Sequence, residues 1–362
     1  MIAWVRTLAA LLAVAWAVPA LAQPVAPTVH LFPASDGTQA PALAIHAATD
    51  LVAMAPLIRD FQQRYPDIPV RFEEYVTTHL FQRATADCAA GRGEMDLILS
   101  SSADQVVALV NDGCAQQHRS LETTRLPAWA RWRDEVFGFT FEPAAIVVHR
   151  DLVPVTEVPE TRLDLIALLR ARPERYRGRI GTYDIELSGI GFLFAATDAR
   201  QSSLFGQLIE AFGRTGLVTR CCSADLLDDI AAGRLLIGYN ILASYAYGAR
   251  ERGAPIEIVL PHDGTIVLSR AAMIPAHAPN PALARLFLDH LLSERGQAIA
   301  RTQSFFFGMD GSVPLDVIAP GGMAAAGLLR PITIGPALLA EQDRARRQRF
   351  LTTWRRAARP VP

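Results

Sequence analysis

The chain has 362 residues, of which 51% are hydrophobic and 20% charged, and its formal net charge is −1. That length exceeds what one compact core organises, so two domains or lobes are expected. The balanced charge gives no general pull toward nucleic acid or an anionic membrane, and because the chain contains no lysine, anion binding would rest on arginine forks, backbone N–H groups and hydroxyls.

Arg6, the apolar run 7–18 and the small residues of Pro19-Ala20-Leu21-Ala22 read as a secretory signal peptide, residues 1–22, cleaved before Gln23. The run is shorter than the ~20 apolar residues a spanning helix needs. No cysteine follows the cleavage point, so a soluble periplasmic protein without a lipid anchor is expected. Residues 23–42, rich in Pro, Ala and small polar residues, read as a flexible leader. From Leu43 onward strands alternate with helices. Strands are expected at 43–47, 68–72 and 95–100, with helices at 51–65, 78–90 and 102–112; Met54, Leu57, Ile58 and Phe61 mark the first apolar helix face. Residues 137–149 read as extended and interrupted at Pro143. Further strands are expected near 179–183, 235–240, 256–261 and 265–274, and helices near 163–170, 191–197, 203–215 and 224–232. Asn280-Pro281 is a helix start, with Asn as cap and Pro in the first turn. A basic amphipathic helix, 338–357, carries Phe350, Leu351 and Trp354 on one side and reads as a solvated outer element. The alternation argues for open, mainly parallel α/β sheets.

Export permits disulfides among the four cysteines. Cys88 with Cys114 is the preferred pair, because both fall in the first lobe. Cys221 and Cys222 are adjacent, where a bond is strained, and read as one buried and one exposed thiol; with no His nearby they do not suggest zinc.

Ligands in open α/β sheets bind where strand ends meet helix N-termini. Four strand ends carry small polar residues. They are Thr49-Asp50, then Ser100-Ser101-Ser102 with Asp104, then the loop with Asp184, Glu186, Ser188 and Gly189, and finally Tyr239-Asn240 with Ser244. The chain shows no P-loop, no G-x-G-x-x-G and no His-Glu metalloprotease spacing, and Ser188 lacks the glycine two residues before it that a nucleophile elbow has. A binding protein, not an enzyme, is expected.

The stretches Thr182–Phe194, Leu236–Ala246 and Ile258–Gln297 resemble the binding loops and return segment of type II periplasmic solute-binding proteins of ABC transporters. The resemblance implies two α/β lobes joined by two hinge crossovers, with the ligand in the cleft between them. Lobe one would hold 43–143 and 264–310, lobe two 144–263, and 311–362 would be a C-terminal helical extension. It also implies a monomer that serves a membrane permease, or alternatively a sensor kinase, with no resident cofactor. The branch includes binders of ferric iron and of hexose phosphates and the phosphoglycerate regulatory protein. The ferric pattern of adjacent tyrosines is absent, and Tyr239, Tyr245 and Tyr247 are the candidate ligands only if iron is the cargo. A phosphorylated sugar or organic carboxylate fits the hydroxyl-rich helix N-termini better.

Overall fold

A computed structural model describes residues 26–315, 317 and 328–358. The expected signal peptide lies outside these residues. Among these residues fourteen strands form two sheets. In chain order they are β1 (Thr28–Phe32), β2 (Leu43–Ala48), β3 (Val70–Glu74), β4 (Leu97–Ser100), β5 (Arg131–Trp132), β6 (Val136–Gly138), β7 (Glu142–His149), β8 (Ile180–Tyr183), β9 (Val218–Arg220), β10 (Ile237–Leu242), β11 (Ile256–Val259), β12 (Thr265–Leu268), β13 (Ala271–Met273) and β14 (Leu329–Pro331). The helices in order are α1 (Leu51–Arg64), α2 (Thr77–Ala89), α3 (Ala103–Asn111), α4 (Leu121–Arg125), α5 (Arg162–Ala171), α6 (Pro173–Tyr176), α7 (Gly189–Gln201), α8 (Phe205–Thr215), α9 (Ser223–Ala231), α10 (Ala243–Glu251), α11 (Pro281–Leu292), α12 (Glu294–Ile299), α13 (Leu339–Gln342) and α14 (Arg344–Ala358).

The first sheet runs β1-β3-β2-β4-β13-β6-β5, and the second β14-β12-β7-β10-β8-β9 with β11 against β7. This is the two-lobed α/β fold expected from the sequence. The sheets are mixed rather than mainly parallel. The strands next to the crossovers, β7 and β13, run antiparallel to their neighbours, because each enters its sheet from the opposite lobe. The apolar runs make the cores: Leu43, Ile45, Phe61 and Phe72 under the first sheet, Ile146, Val148, Ile180 and Ile237 under the second.

Three boundaries differ from the sequence reading. The leader is not wholly irregular, since β1 lies within it and pairs antiparallel with β3. Its exposed side chains hide the strand from a burial argument; ladder hydrogen bonds, rather than burial, hold it at the sheet edge. The return to lobe one falls at β13, not residue 264, because β12 still pairs with β7 and β14 in the second sheet. The extension 311–362 is not purely helical, since it supplies β14, whose Pro331 is accommodated on an edge strand.

The C-terminal segment spans both lobes. The expected single helix breaks at Asp343 into α13 and α14. Phe350 and Trp354 of α14 pack on Phe192 and Phe205 of lobe two, so its apolar side is buried rather than solvated. Gln342 Nε2 of α13 donates to Asp104 Oδ2 of α3 in lobe one, 2.5 Å away. The Cys88–Cys114 disulfide, with Cα atoms 5.6 Å apart, joins α2 to the loop after α3. Among the described residues no helix is long and apolar enough to cross a membrane.

Asp104 is fully buried, and burial pushes its carboxyl up to about 6, against the opposing pull of Arg347. A carboxyl raised on folding stabilises the fold below its unfolded value of 3.8 and loses that contribution as pH rises through about 6. Asp104→Asn is therefore expected to stabilise the protein by about 3 kcal/mol above about pH 7 and to change little near pH 4. Urea denaturation at the two pH values measures this; equal shifts at both would contradict it.

Candidate ligand-binding site

Six helix N-termini converge on the cleft between the lobes. Strands β2, β3, β4, β8, β9 and β10 each lead directly into a helix, namely α1, α2, α3, α7, α9 and α10. The chain turns at the carboxyl end of every one of these strands. Each turn delivers backbone N–H groups and a partial positive charge to the same side. The N-cap residues are Asp50, Val76, Ser102, Ser188, Cys222 and Leu242. Of these six only Ser188 caps its helix with a side chain, Oγ accepting from Gly191 N at 3.3 Å. The cleft is lined from lobe one by Asp50, Tyr75, Val76, Thr77 and Ser101, and from lobe two by Tyr183, Ser188, Ile190, Cys221, Cys222, Ser223, Leu242 and Tyr245.

The lobes touch across the cleft. Gly189 N donates to Thr77 Oγ1 at 2.9 Å, Thr78 Oγ1 to Leu187 O at 2.8 Å, and Asp50 N to Tyr245 Oη at 3.2 Å. Gly189 eases this approach, since a side chain there would displace those of Ser102 and Gln105. A Cβ there would lie 2.3 Å from Ser102 Oγ and 2.8 Å from Gln105 Nε2.

Arg270 also lines the cleft, on the segment joining β12 to β13. Its Nε donates to Glu142 Oε1 at 2.7 Å, and Nη1 to Thr49 Oγ1 at 2.9 Å and Ala48 O at 3.2 Å. The guanidinium lies 5.2 Å from the Tyr245 ring and 5.4 Å from that of Phe305. Burial opposes its charge, but the facing Glu142 carboxylate more than offsets this and keeps it protonated beyond the ordinary arginine range. Glu142 also accepts from Ser244 Oγ and Thr140 Oγ1. Burial raises the Asp50 carboxyl above its usual range, with Arg270 acting the other way.

Asp50, Ser101, Ser188 and Tyr245 therefore line the cleft, and Gly189 forms its closing contact. Thr49 and Ser244 stand behind it, holding Arg270 and Glu142. Ser100 Oγ accepts from Ser102 N at 3.1 Å and shapes the loop. The remaining candidates are placed elsewhere. Asp184 Oδ1 accepts from Glu186 N at 3.0 Å within its own turn. Glu186 is ion-paired with Arg355 of α14. Tyr239 and Asn240 point into lobe two, where both donate to Asp198 Oδ2, at 2.6 and 2.9 Å, and Arg162 holds Asp198 Oδ1. The cause is a bulge in β10, where Asn240 takes a left-handed φ of 58° and re-aims the strand end.

The three tyrosines offered for iron are not brought together. Tyr239 is bonded to Asp198, Tyr245 faces Asp50 and Arg270, and Tyr247 packs on Phe306 with rings 5.0 Å apart. Cys221 and Cys222 are bonded to each other rather than free. With Asp225 they are the one His/Cys/Asp/Glu group among the described residues close enough to hold a metal ion, and their sulfurs are already joined. The sequence did not single out Thr77 or Arg270, and the strain expected of a bond between neighbours made Cys221 and Cys222 read as separate thiols. Thr77 follows a strand end as Asp50 does; Arg270 gave no local signal.

Arg270→Leu leaves Glu142 charged and buried without its partner, and is expected to lower unfolding stability by about 3–5 kcal/mol. Adding Glu142→Leu should restore most of that loss in urea denaturation. A double variant no more stable than the single one would contradict this account.

Comparison with known proteins gives the family. No curated protein matches this chain. The substrate-binding protein of an ABC transporter from Agrobacterium tumefaciens is 34% identical, with TM-score 0.87 over 93% of this chain and 100% of that one. Iron-bound HitA from Pseudomonas aeruginosa (15% identity) and AfuA from Actinobacillus pleuropneumoniae with exogenous fructose-6-phosphate (17%) each give TM-score 0.69 over 88% of this chain and 99% of their own. At those identities the last two show the fold alone. The profile of bacterial extracellular solute-binding proteins matches residues 43–306, and the chain belongs to that family.

Proposed function

We propose that the protein is the periplasmic receptor of an ABC uptake system, and that it captures a small organic anion bearing a phosphate or carboxylate and presents it to a membrane permease. The observation that carries this reading is the convergence of six helix N-termini, five without a side-chain cap, on one cleft. Aligned helix dipoles favour an anion and disfavour a bare cation, although two of the leading N–H groups are already engaged, Leu51 N by Glu74 Oε2 and Gly189 N by Thr77 Oγ1. Asp50, Thr77 and Ser101 add acceptors and hydroxyls suited to the alcohol groups of a polyol. The role is binding without turnover. The relative from Agrobacterium, named for an ABC transporter, supports the transport setting.

Titration calorimetry with fructose-6-phosphate, glycerol phosphate, glucuronate, inorganic phosphate and ferric ion tests the reading. Binding of at least one of the organic anions, with none of ferric ion, is expected; binding of ferric ion alone would overturn it. Gly189→Ala should weaken the organic anion about tenfold, as the steric cost of a methyl group at the closing contact requires. Unchanged affinity in that variant would place the ligand outside the closed cleft.

A further inference from the structure

The Cys221–Cys222 disulfide stands in the wall of the cleft. Its position is unusual for its chemistry. Cys222 occupies the N-cap of α9, where Ser, Thr, Asp or Asn ordinarily supplies an oxygen acceptor, and it makes no capping bond. The bonded sulfurs carry no hydrogen to donate. Sulfur is polarisable and packs well against C–H groups and ring faces. The same lobe-two wall presents Ile190, Leu242 and the rings of Tyr183 and Tyr245. The Tyr183 hydroxyl is already engaged, lying 2.6 Å from Ser223 Oγ and accepting from Leu242 N. This wall therefore offers apolar surface beside the helix N-termini, while lobe one contributes Asp50, Thr77 and Ser101.

We infer that the Cys221–Cys222 disulfide is a specificity-determining contact, a donor-free ledge that receives the C–H face of a ring and so selects cyclic organic anions over acyclic or inorganic ones. The inference rests on the organic-anion reading above and names the class of anion. Joining adjacent residues fixes both sulfurs to one short stretch of backbone, so the ledge is rigid before the ligand arrives. Two free thiols at the same positions would rotate independently, and a thiolate at the N-terminus of α9 would place negative charge beside an anion.

Two measurements test it on the mature protein. In the first, wild type is treated with a phosphine reductant and alkylated, and reduction of the Cys221–Cys222 peptide is followed by mass spectrometry with Cys88–Cys114 as internal reference. Saturating fructose-6-phosphate or glucuronate is expected to slow reduction of Cys221–Cys222 several-fold, and glycerol phosphate to leave it unchanged. In the second, Cys221→Ala with Cys222→Ala is titrated with the same compounds. The ring compounds should bind roughly tenfold more weakly, as loss of an apolar contact in a pocket implies, with glycerol phosphate and inorganic phosphate shifted much less. If wild type binds a ring anion that neither shields the disulfide nor loses affinity in the double variant, the inference is wrong and the organic-anion reading stands. If wild type binds none of the organic anions, that reading fails and the inference falls with it.

Discussion

The Arg270–Glu142 ion pair is the interaction on which the rest of the molecule depends. Both residues are almost completely enclosed, and they sit where the two segments that pass between the lobes meet: Glu142 opens β7 at the end of the segment from β6, and Arg270 lies on the segment joining β12 to β13. The segments are stitched together at the same place, Phe139 N to Arg270 O at 3.0 Å and Arg270 N to Thr140 Oγ1 at 2.8 Å. Desolvating two charges is costly unless every lone pair and proton is engaged. Here the carboxylate takes Arg270, Thr140 and Ser244, and the guanidinium adds Thr49 and the Ala48 carbonyl. Lobe one, the crossovers and α10 of lobe two thus meet at one point, which is also part of the cleft wall.

Around that point the fold concentrates electrostatic potential, and among the described residues no free cation lines the cleft. Arg270 is committed to Glu142, so the positive character comes from backbone dipoles at helix ends. Such dipoles are fixed by the fold, whereas long cationic side chains must be ordered on binding. The same geometry explains the contrast between the walls. Lobe one supplies hydroxyls and a carboxyl, while lobe two, with Ile190, Leu242, two tyrosine rings and a disulfide, is the more apolar. The C-terminal segment adds a separate tie between the lobes, through Gln342 on Asp104 and the packing of α14 on lobe two.

Much of this was legible in the sequence. Period-two and helical spacing placed the alternating elements, and small polar residues after strands pointed to Asp50, Ser101 and Ser188, which lie along the cleft. The failures have local causes. Tyr239 and Asn240 follow the same strand-end rule, but the left-handed turn at Asn240 swings them onto Asp198, which lies 41 and 42 residues away in sequence. Glu186 looked like a loop acid of the cleft and is held instead by Arg355, 169 residues on. Arg270 pairs with Glu142 across 128 residues, a contact no local pattern announces. The strand β1 was hidden because its ladder, not its burial, holds it. Long-range pairing is what a single sequence conceals.

The central claim is that the cleft is built for an organic anion. The most direct test is to purify the protein from its native host without refolding, denature it, and identify what is released by mass spectrometry and metal analysis. The account predicts a stoichiometric organic phosphate or carboxylate and no metal. Stoichiometric iron in a coloured complex would contradict it.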